Sequence, residues 1–233
     1  MRLINVHSLK FTEFHDDDKH PKYAIASHRW GADEAKFKDV EQGRKKDSLG
    51  YKKVEAFAEY VRDRVQNVDW LWIDTCCINK ESAAELSYCI NSMFRWYRDA
   101  DICIAYLPGV AAVDDLNAFK QDEWFQRGWT LQELLAPRLV LFVTRDWQII
   151  GNKGSSYHEY NKTPTGQDLT AEIAKITKIP ESVLRDWGTN TDVRNEDKMK
   201  WIENRNTTVK EDMSYALFGI VGVTLPVIYG EGS

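Results

Sequence analysis

Residues Glu123–Thr144 read EWFQRGWTLQELLAPRLVLFVT. A helix-like stretch gives way to an unbroken apolar run within a few residues, and that switch decides the fold. Pro137 cannot continue a helix and pushes its predecessor out of the α region, so a helix over Glu123–Ala136 is predicted to stop at about Ala136. At roughly 100° per residue, Leu131, Leu134 and Leu135 fall on one side of it. Trp129 and Glu133, four residues apart, stack on the other. The leucine stripe must bury itself. The tryptophan over a carboxylate reads either as a half-exposed surface pair or as a ring and an acid facing a cleft. Arg138–Thr144 (RLVLFVT) follows as a strand. It shows no polar alternation, the mark of a strand covered on both faces.

The same alternation runs upstream. Lys22–Ser27 (KYAIAS), Val68–Asp74 (VDWLWID) and Asp101–Leu107 (DICIAYL) are compact apolar runs. Tyr51–Val65 lies between the first two, with apolar residues at Val54, Phe57, Ala58, Val61 and Val65, the spacing of an amphipathic helix. Ala83–Arg98 lies between the next two, with Leu86, Ile90, Met93, Phe94 and Tyr97 on one side. Strands alternating with helices predict an α/β fold whose parallel sheet is covered on both faces. Right-handed crossovers make the layout flavodoxin-like, with the strand at 101–107 crossing to lie beside the strand at 22–27. Met1–Val6 is a further short strand candidate, and Phe37–Gly50 and 108–122 read as loops. After Trp147 the pattern breaks. Gly151–Gly166 reads as a long loop, and helical segments at 168–177, 180–187, 196–204 and 210–220 form a layer packed on the core at residues 1–150. The acidic triplet Asp16–Asp18 between His15 and His20 reads as a solvated loop rather than a metal site.

Composition narrows the function classes. A net charge of −5 with scattered basic residues disfavours nucleic acid as a partner. No apolar stretch reaches the length of a membrane span, and there is no secretory signal, so a soluble, cytoplasmic protein is expected. The four cysteines (Cys76, Cys77, Cys89, Cys103) lie in apolar runs without metal-binding spacing and read as buried, reduced thiols. No metal and no cofactor is expected. Nine tryptophans supply large apolar area and stacking faces.

Polar residues gather where apolar strands end. The first strand runs into Ser27-His28-Arg29-Trp30-Gly31, and the second ends at Asp74. In open α/β sheets the carboxyl ends of the strands are where ligands bind, so these residues are predicted to line one cleft.

YAIASHRWG, LWIDTCCINK, DADICIAYL, RGWTLQELLAP and DMSYALFGIVGVTLPVIYGEG, in this order, resemble the fungal heterokaryon-incompatibility (HET) domain over nearly the whole chain. Lys80 departs from the pattern, where many members carry Gln, and is therefore a weak candidate for a role. A more distant resemblance is to TIR domains: Trp129-Thr130-Leu131-Gln132-Glu133-Leu134 is similar to their Trp-Cys-x-x-Glu-Leu motif, with Thr130 in place of Cys. That resemblance implies a catalytic role for Glu133 in NAD⁺ cleavage. Ser27, His28, Arg29, Trp30, Asp74, Arg127 and Trp129 would contact the substrate, NAD⁺ or a related dinucleotide. A single carboxylate fits the chemistry, because nicotinamide leaves as a neutral molecule and needs no acid. The expected function is a cell-death effector that hydrolyses NAD⁺ and self-associates. The alternative is a non-enzymatic module of the same fold that signals by self-association and recruits partners. The chain is expected to be a fragment of a larger protein, with sensor or oligomerisation domains elsewhere.

Overall fold

The computed structural model describes residues 1–15, 19–154, 165–188 and 193–230. The acidic triplet at 16–18 and most of the predicted 151–166 loop lie outside them. Among the described residues, eight strands form one sheet: β1 (Arg2–Asn5), β2 (Phe11–Glu13), β3 (Tyr23–His28), β4 (Trp70–Trp72), β5 (Ile102–Leu107), β6 (Val140–Thr144), β7 (Ile149–Lys153) and β8 (Gln167–Asp168). Their spatial order is β2-β1-β4-β3-β5-β6-β7-β8. The four predicted strands are β3, β4, β5 and β6. They pair in parallel, and β5 lies beside β3 with Ala24 opposite Ile102. Every residue of β3 is buried, which explains its unbroken apolar run. The sheet as a whole is mixed rather than parallel, because β1 joins β4 antiparallel and β7 joins β6 antiparallel.

Ten helices accompany the strands among the described residues. They are α1 (Phe37–Glu41), α2 (Leu49–Arg64), α3 (Ala83–Asp99), α4 (Leu116–Gln121), α5 (Thr130–Leu135), α6 (Thr170–Thr177), α7 (Glu181–Arg185), α8 (Asn195–Lys200), α9 (Asp212–Tyr215) and α10 (Phe218–Val221). The long crossover helices start where side chains supply a cap. Ser48 accepts from the Tyr51 amide at α2, and Ser82 from the Glu85 amide at α3. The short helices α1 and α4 occupy stretches read above as loops. The C-terminal helices form the expected layer. Gly219 lets it approach closely: a Cβ there would lie 2.0 Å from Phe94 Cβ on α3.

Two expectations need correction. Glu123–Ala136 is not one helix. A 3₁₀ turn over Glu123–Gln126 ends at an extended Arg127, and α5 begins only at Thr130. The C-terminal layer causes the break. The Asn206 amide donates to the Gln126 carbonyl (2.6 Å) and the Gly128 amide donates to the Asn206 carbonyl (2.9 Å), taking backbone groups a helix would need. A Cβ on Gly128 would meet Thr207 Cγ2 at 2.6 Å, so glycine lets the two segments pair without moving the Thr207 side chain. In addition, Ile149–Lys153 is a strand rather than the start of a loop.

Its Gly-Asn-Lys ending hides buried polar side chains, each with partners. Asn152 donates to the Thr165 carbonyl (2.9 Å), and Lys153 Nζ donates to the carbonyls of Leu134 (2.9 Å) and Pro137 (2.6 Å). Lys153 thus caps the end of α5 from beneath. Burial pushes its ammonium down from 10.5 to about 7, where a neutral amine's two N–H groups match two carbonyls. Unfolding raises that pKa again, so the unfolded chain binds the extra proton and Lys153's contribution to stability rises with pH between about 7 and 10. Lys153→Met should destabilise the protein by about 1–3 kcal/mol at pH 9, the cost of orphaned carbonyls. The loss should be smaller at pH 6. Urea unfolding of both proteins at the two pH values checks this; equal losses would contradict it.

Candidate functional site

A cleft of about 240 Å³ opens at the carboxyl ends of β3 and β4. It lies close to the point where the parallel strand order reverses around β3, the position at which open α/β sheets bind ligands. His28 and Trp30 reach it from the end of β3, Asp74 from just beyond β4, Arg127 and Trp129 from the segment leading into α5, and Glu133 from α5 itself. Leu86, Ile90 and Met93 of α3 form an apolar wall, and residues 206–209 with Tyr229 close the far side.

Glu133 is the centre of this arrangement. Of the two readings of the Trp129–Glu133 pair, the half-exposed surface pair fails and the cleft-facing one holds, because every residue from Thr130 to Leu135 is buried and both side chains line the cleft. Glu133 itself is only 6% exposed. Its Oε2 accepts from Ser27 Oγ, and Ser27 Oγ in turn accepts from Trp124 Nε1 at 2.7 Å. Burial raises the Glu133 carboxyl from 4.5 to about 8; Asp74 adds to the rise, while the Ser27 hydrogen bond, Arg127 and Arg205 oppose it. At neutral pH the acid is therefore mostly protonated.

Asp74 is its opposite. Burial works against the charge, but His28, Lys80 and Trp30 outweigh that and hold the carboxyl well below the usual range. Trp30 Nε1 donates to Asp74 Oδ2 at 2.7 Å. His28 Nε2 lies 3.3 Å from Asp74 Oδ1, close enough for ion pairing but without hydrogen-bond alignment. Of the three carboxyl groups lining the cleft, Asp212 accepts from the Tyr229 hydroxyl at 2.9 Å, while Glu133 is neutral and Asp74 ionised, a pairing that separates roles in acid–base sites.

Two of the expected residues sit elsewhere. Ser27 lies behind Glu133 rather than in the cleft wall: neighbours on a strand face opposite ways, so Ser27 meets α5 while His28 packs against Phe57 of α2 (ring centroids 5.7 Å apart). Arg29 does not line the cleft. It continues past the strand into solvent and pairs with the exposed Glu123.

Arg205 and Trp124 escaped the reading of the sequence, and Lys80 entered it only as a weak candidate. Lys80 lines the cleft, its Nζ 3.7 Å from the centre of the Trp30 ring, and burial lowers its pKa. Position 80 lies in the loop that follows β4 and Asp74, and that placement was the available signal. Arg205 is buried and donates through Nη1 to the Arg127 carbonyl and to Thr130 Oγ1, both at 2.9 Å, fixing the start of α5. Trp124 anchors Ser27. Nothing in the local pattern distinguishes Arg205 from the surface basic residues around it.

The model of the heterokaryon incompatibility protein (HET) family matches residues 23–121. That segment carries Ser27, His28, Trp30, Asp74 and Lys80, and ends before Glu123. Vegetative incompatibility protein HET-E-1 of Podospora anserina is 44% identical over 225 residues, covering 92% of this chain. The chain spans 15% of that relative's length. No solved structure matches the chain.

The charge state of Glu133 can be tested without any ligand. A carboxyl raised from 4.5 to about 8 in the folded protein binds a proton that the unfolded chain has released, so its contribution to stability falls as pH rises through that window. Glu133→Gln mimics the protonated acid. Its stability relative to the natural protein should therefore increase steadily from pH 5 to pH 8.5 in chemical unfolding. A difference independent of pH would show that Glu133 titrates normally.

Proposed function

The chain carries a heterokaryon-incompatibility (HET) domain, and from that premise we propose that it is a fungal incompatibility and cell-death module that cleaves the nicotinamide–ribose bond of NAD⁺ or a related dinucleotide. The observation that carries this reading is the buried, raised Glu133 carboxyl at a cleft walled by Trp129 and Trp30.

A neutral buried acid is the natural receptor for a cation. A nicotinamide ring bonded to ribose carries a positive charge on its nitrogen. Seated against Glu133, that charge favours the ionised form and releases the carboxyl proton to solvent. The carboxylate is then formed in place, in a site from which water is largely excluded. As the C1′–N bond breaks, its electron pair moves to the nicotinamide nitrogen and the leaving group departs neutral. The positive charge shifts to the ribosyl group, where Glu133 stabilises it directly or by accepting a hydrogen bond from a ribose hydroxyl. Water then adds to C1′ and loses a proton. Trp129 or Trp30 offers a face for the ring, and ionised Asp74 offers an acceptor for a ribose hydroxyl. Ser27, held by Trp124, keeps one Glu133 oxygen fixed and leaves the group's placement independent of the ligand.

Self-association belongs to the same proposal. A purely scaffolding module has no use for a desolvated acid in a cleft, and this favours the enzymatic reading over the non-enzymatic one.

Glu133→Gln keeps the shape and the Ser27 contact but cannot become anionic. Nicotinamide release from NAD⁺ should fall by about 10²–10³-fold, the scale of losing one preorganised electrostatic partner. For the natural protein, kcat/KM should rise with pH and level off above about 8, as the free site loses its proton. A folded Glu133→Gln protein that releases nicotinamide at the natural rate removes Glu133 from the mechanism.

A further inference from the structure

Beside the cleft lies a second, larger hollow of about 490 Å³, which shares Ile78 and Lys80 with it. Its lining is out of character for a chain of net charge −5. Five cations (Lys36, Lys38, Arg44, Lys45 and Lys80) face it against two carboxylates, Asp39 and Glu81. Glu81 is held by Lys38 at 2.6 Å, and Asp39 lies 3.7 Å from Lys45. Among the described residues, no carboxylate lies within ion-pairing distance of Lys36, Arg44 or Lys80. Lys36 lies near enough to Lys80 to disfavour its charge, although Asp74 and Glu34 favour it more. With Glu81 and Asp39 engaged by Lys38 and Lys45, cations outnumber the carboxylates facing the hollow, and an anion between them lowers the free energy of the cluster.

An independent observation points the same way. Thr75 is 2% exposed and lines this hollow, and its hydroxyl has no hydrogen-bond partner. Buried hydroxyls are nearly always satisfied. A bound oxyanion would supply the missing acceptor, with the lysines and Arg44 completing its shell. Asn79, also in the lining, adds a neutral hydrogen-bonding group.

The size of the cleft gives the anion an identity. At about 240 Å³ it falls below the roughly 300–1,000 Å³ of pockets that enclose drug-sized ligands, so it can house a ring and a sugar but not a whole dinucleotide. The remainder of such a substrate has to leave the cleft, and the shared boundary at Lys80 opens onto the basic hollow. We propose that this hollow is the phosphate subsite of the cleft: it takes the pyrophosphate of a dinucleotide, with Lys80 at the junction and Lys36, Arg44 and Thr75 beyond it. Lys80, stacked on Trp30 and close to Asp74, then links the anionic and cationic halves of one ligand. The assignment rests on the dinucleotide reading above for the identity of the ligand, but its anion-binding core does not.

The experiment uses inorganic pyrophosphate as the probe, followed by calorimetry at low salt, with no catalysis required. The natural protein and Glu133→Gln should bind it equally, because Glu133 lies outside the hollow. The double variant Lys36→Ala/Arg44→Ala should lose at least tenfold in affinity. Arg62→Ala, which removes an exposed cation paired with Asp63 on α2, should bind as the natural protein does. Unfolding midpoints confirm that each variant is folded. NAD⁺ should compete with pyrophosphate, and the double variant should raise KM for NAD⁺ about tenfold. Failure of the natural protein to bind pyrophosphate, or equal binding by the double variant, overturns the subsite. Simultaneous binding of NAD⁺ and pyrophosphate overturns its assignment to the substrate. Pyrophosphate binding without any NAD⁺ cleavage would instead sink the enzymatic reading and leave the anion site standing.

Discussion

A carboxyl group placed at the buried end of a parallel sheet has to be answered by its surroundings, and the answer here is incomplete by construction. Glu133 receives one hydrogen bond, from Ser27, and no cation contacts it directly among the described residues. Arg205, the nearest buried guanidinium in the layer above, spends its donors on the carbonyls of Trp201 and Arg127 and on Thr130. The group therefore stays protonated. Much of the local architecture holds that situation fixed. Trp124 orients Ser27, Arg205 and Asn206 set the start of α5, and Lys153 closes its end. A helix of six residues could not stay in place on its own hydrogen bonds. It is held by tertiary contacts at both ends, which leaves the acid aimed at the cleft whether or not anything is bound there.

The second carboxylate shows what full compensation does. Asp74 has a tryptophan N–H, a histidine and a lysine around it, and it is ionised despite its position. The two acids thus divide the available protein charge unequally. One is a settled anion and the other a neutral group. Under the proposed function, the neutral acid becomes charged when a cation arrives, so that proton release is part of ligand recognition and selectivity for a cationic ring follows from it.

The parallel core was legible in the sequence because β3 to β6 are covered on both faces, so their apolar runs are continuous and their ends are abrupt. Asp74 and His28 could be placed for the same reason. Features that depend on the C-terminal layer could not be read locally. The break at Gly128 exists because the backbone at Asn206 pairs with it, 78 residues later. The strand β7 carries asparagine and lysine that look solvated and are in fact buried with carbonyl partners. Arg29 follows the strand end but turns outward to Glu123, and Lys80, set aside as a departure from the family pattern, turns inward over Trp30. The motif around Glu133 drew attention to a residue that lines the cleft. Its burial and raised pKa arise from the fold around it, and no spacing of residues encodes them.

The central claim is that Glu133 is neutral in the empty cleft and is ionised by a cationic ligand. The most direct measurement is a carbon-13 titration of the glutamate side-chain carboxyls, with the Glu133 signal assigned by its disappearance in Glu133→Gln. In the free protein the signal should titrate with a midpoint of about 8. Saturation with 1-methylnicotinamide, a cation with no glycosidic bond to cleave, should move that midpoint down by at least one pH unit, as expected for an opposite charge brought within contact. A midpoint in the ordinary range near 4.5, or one that the cation leaves unmoved, would contradict the account.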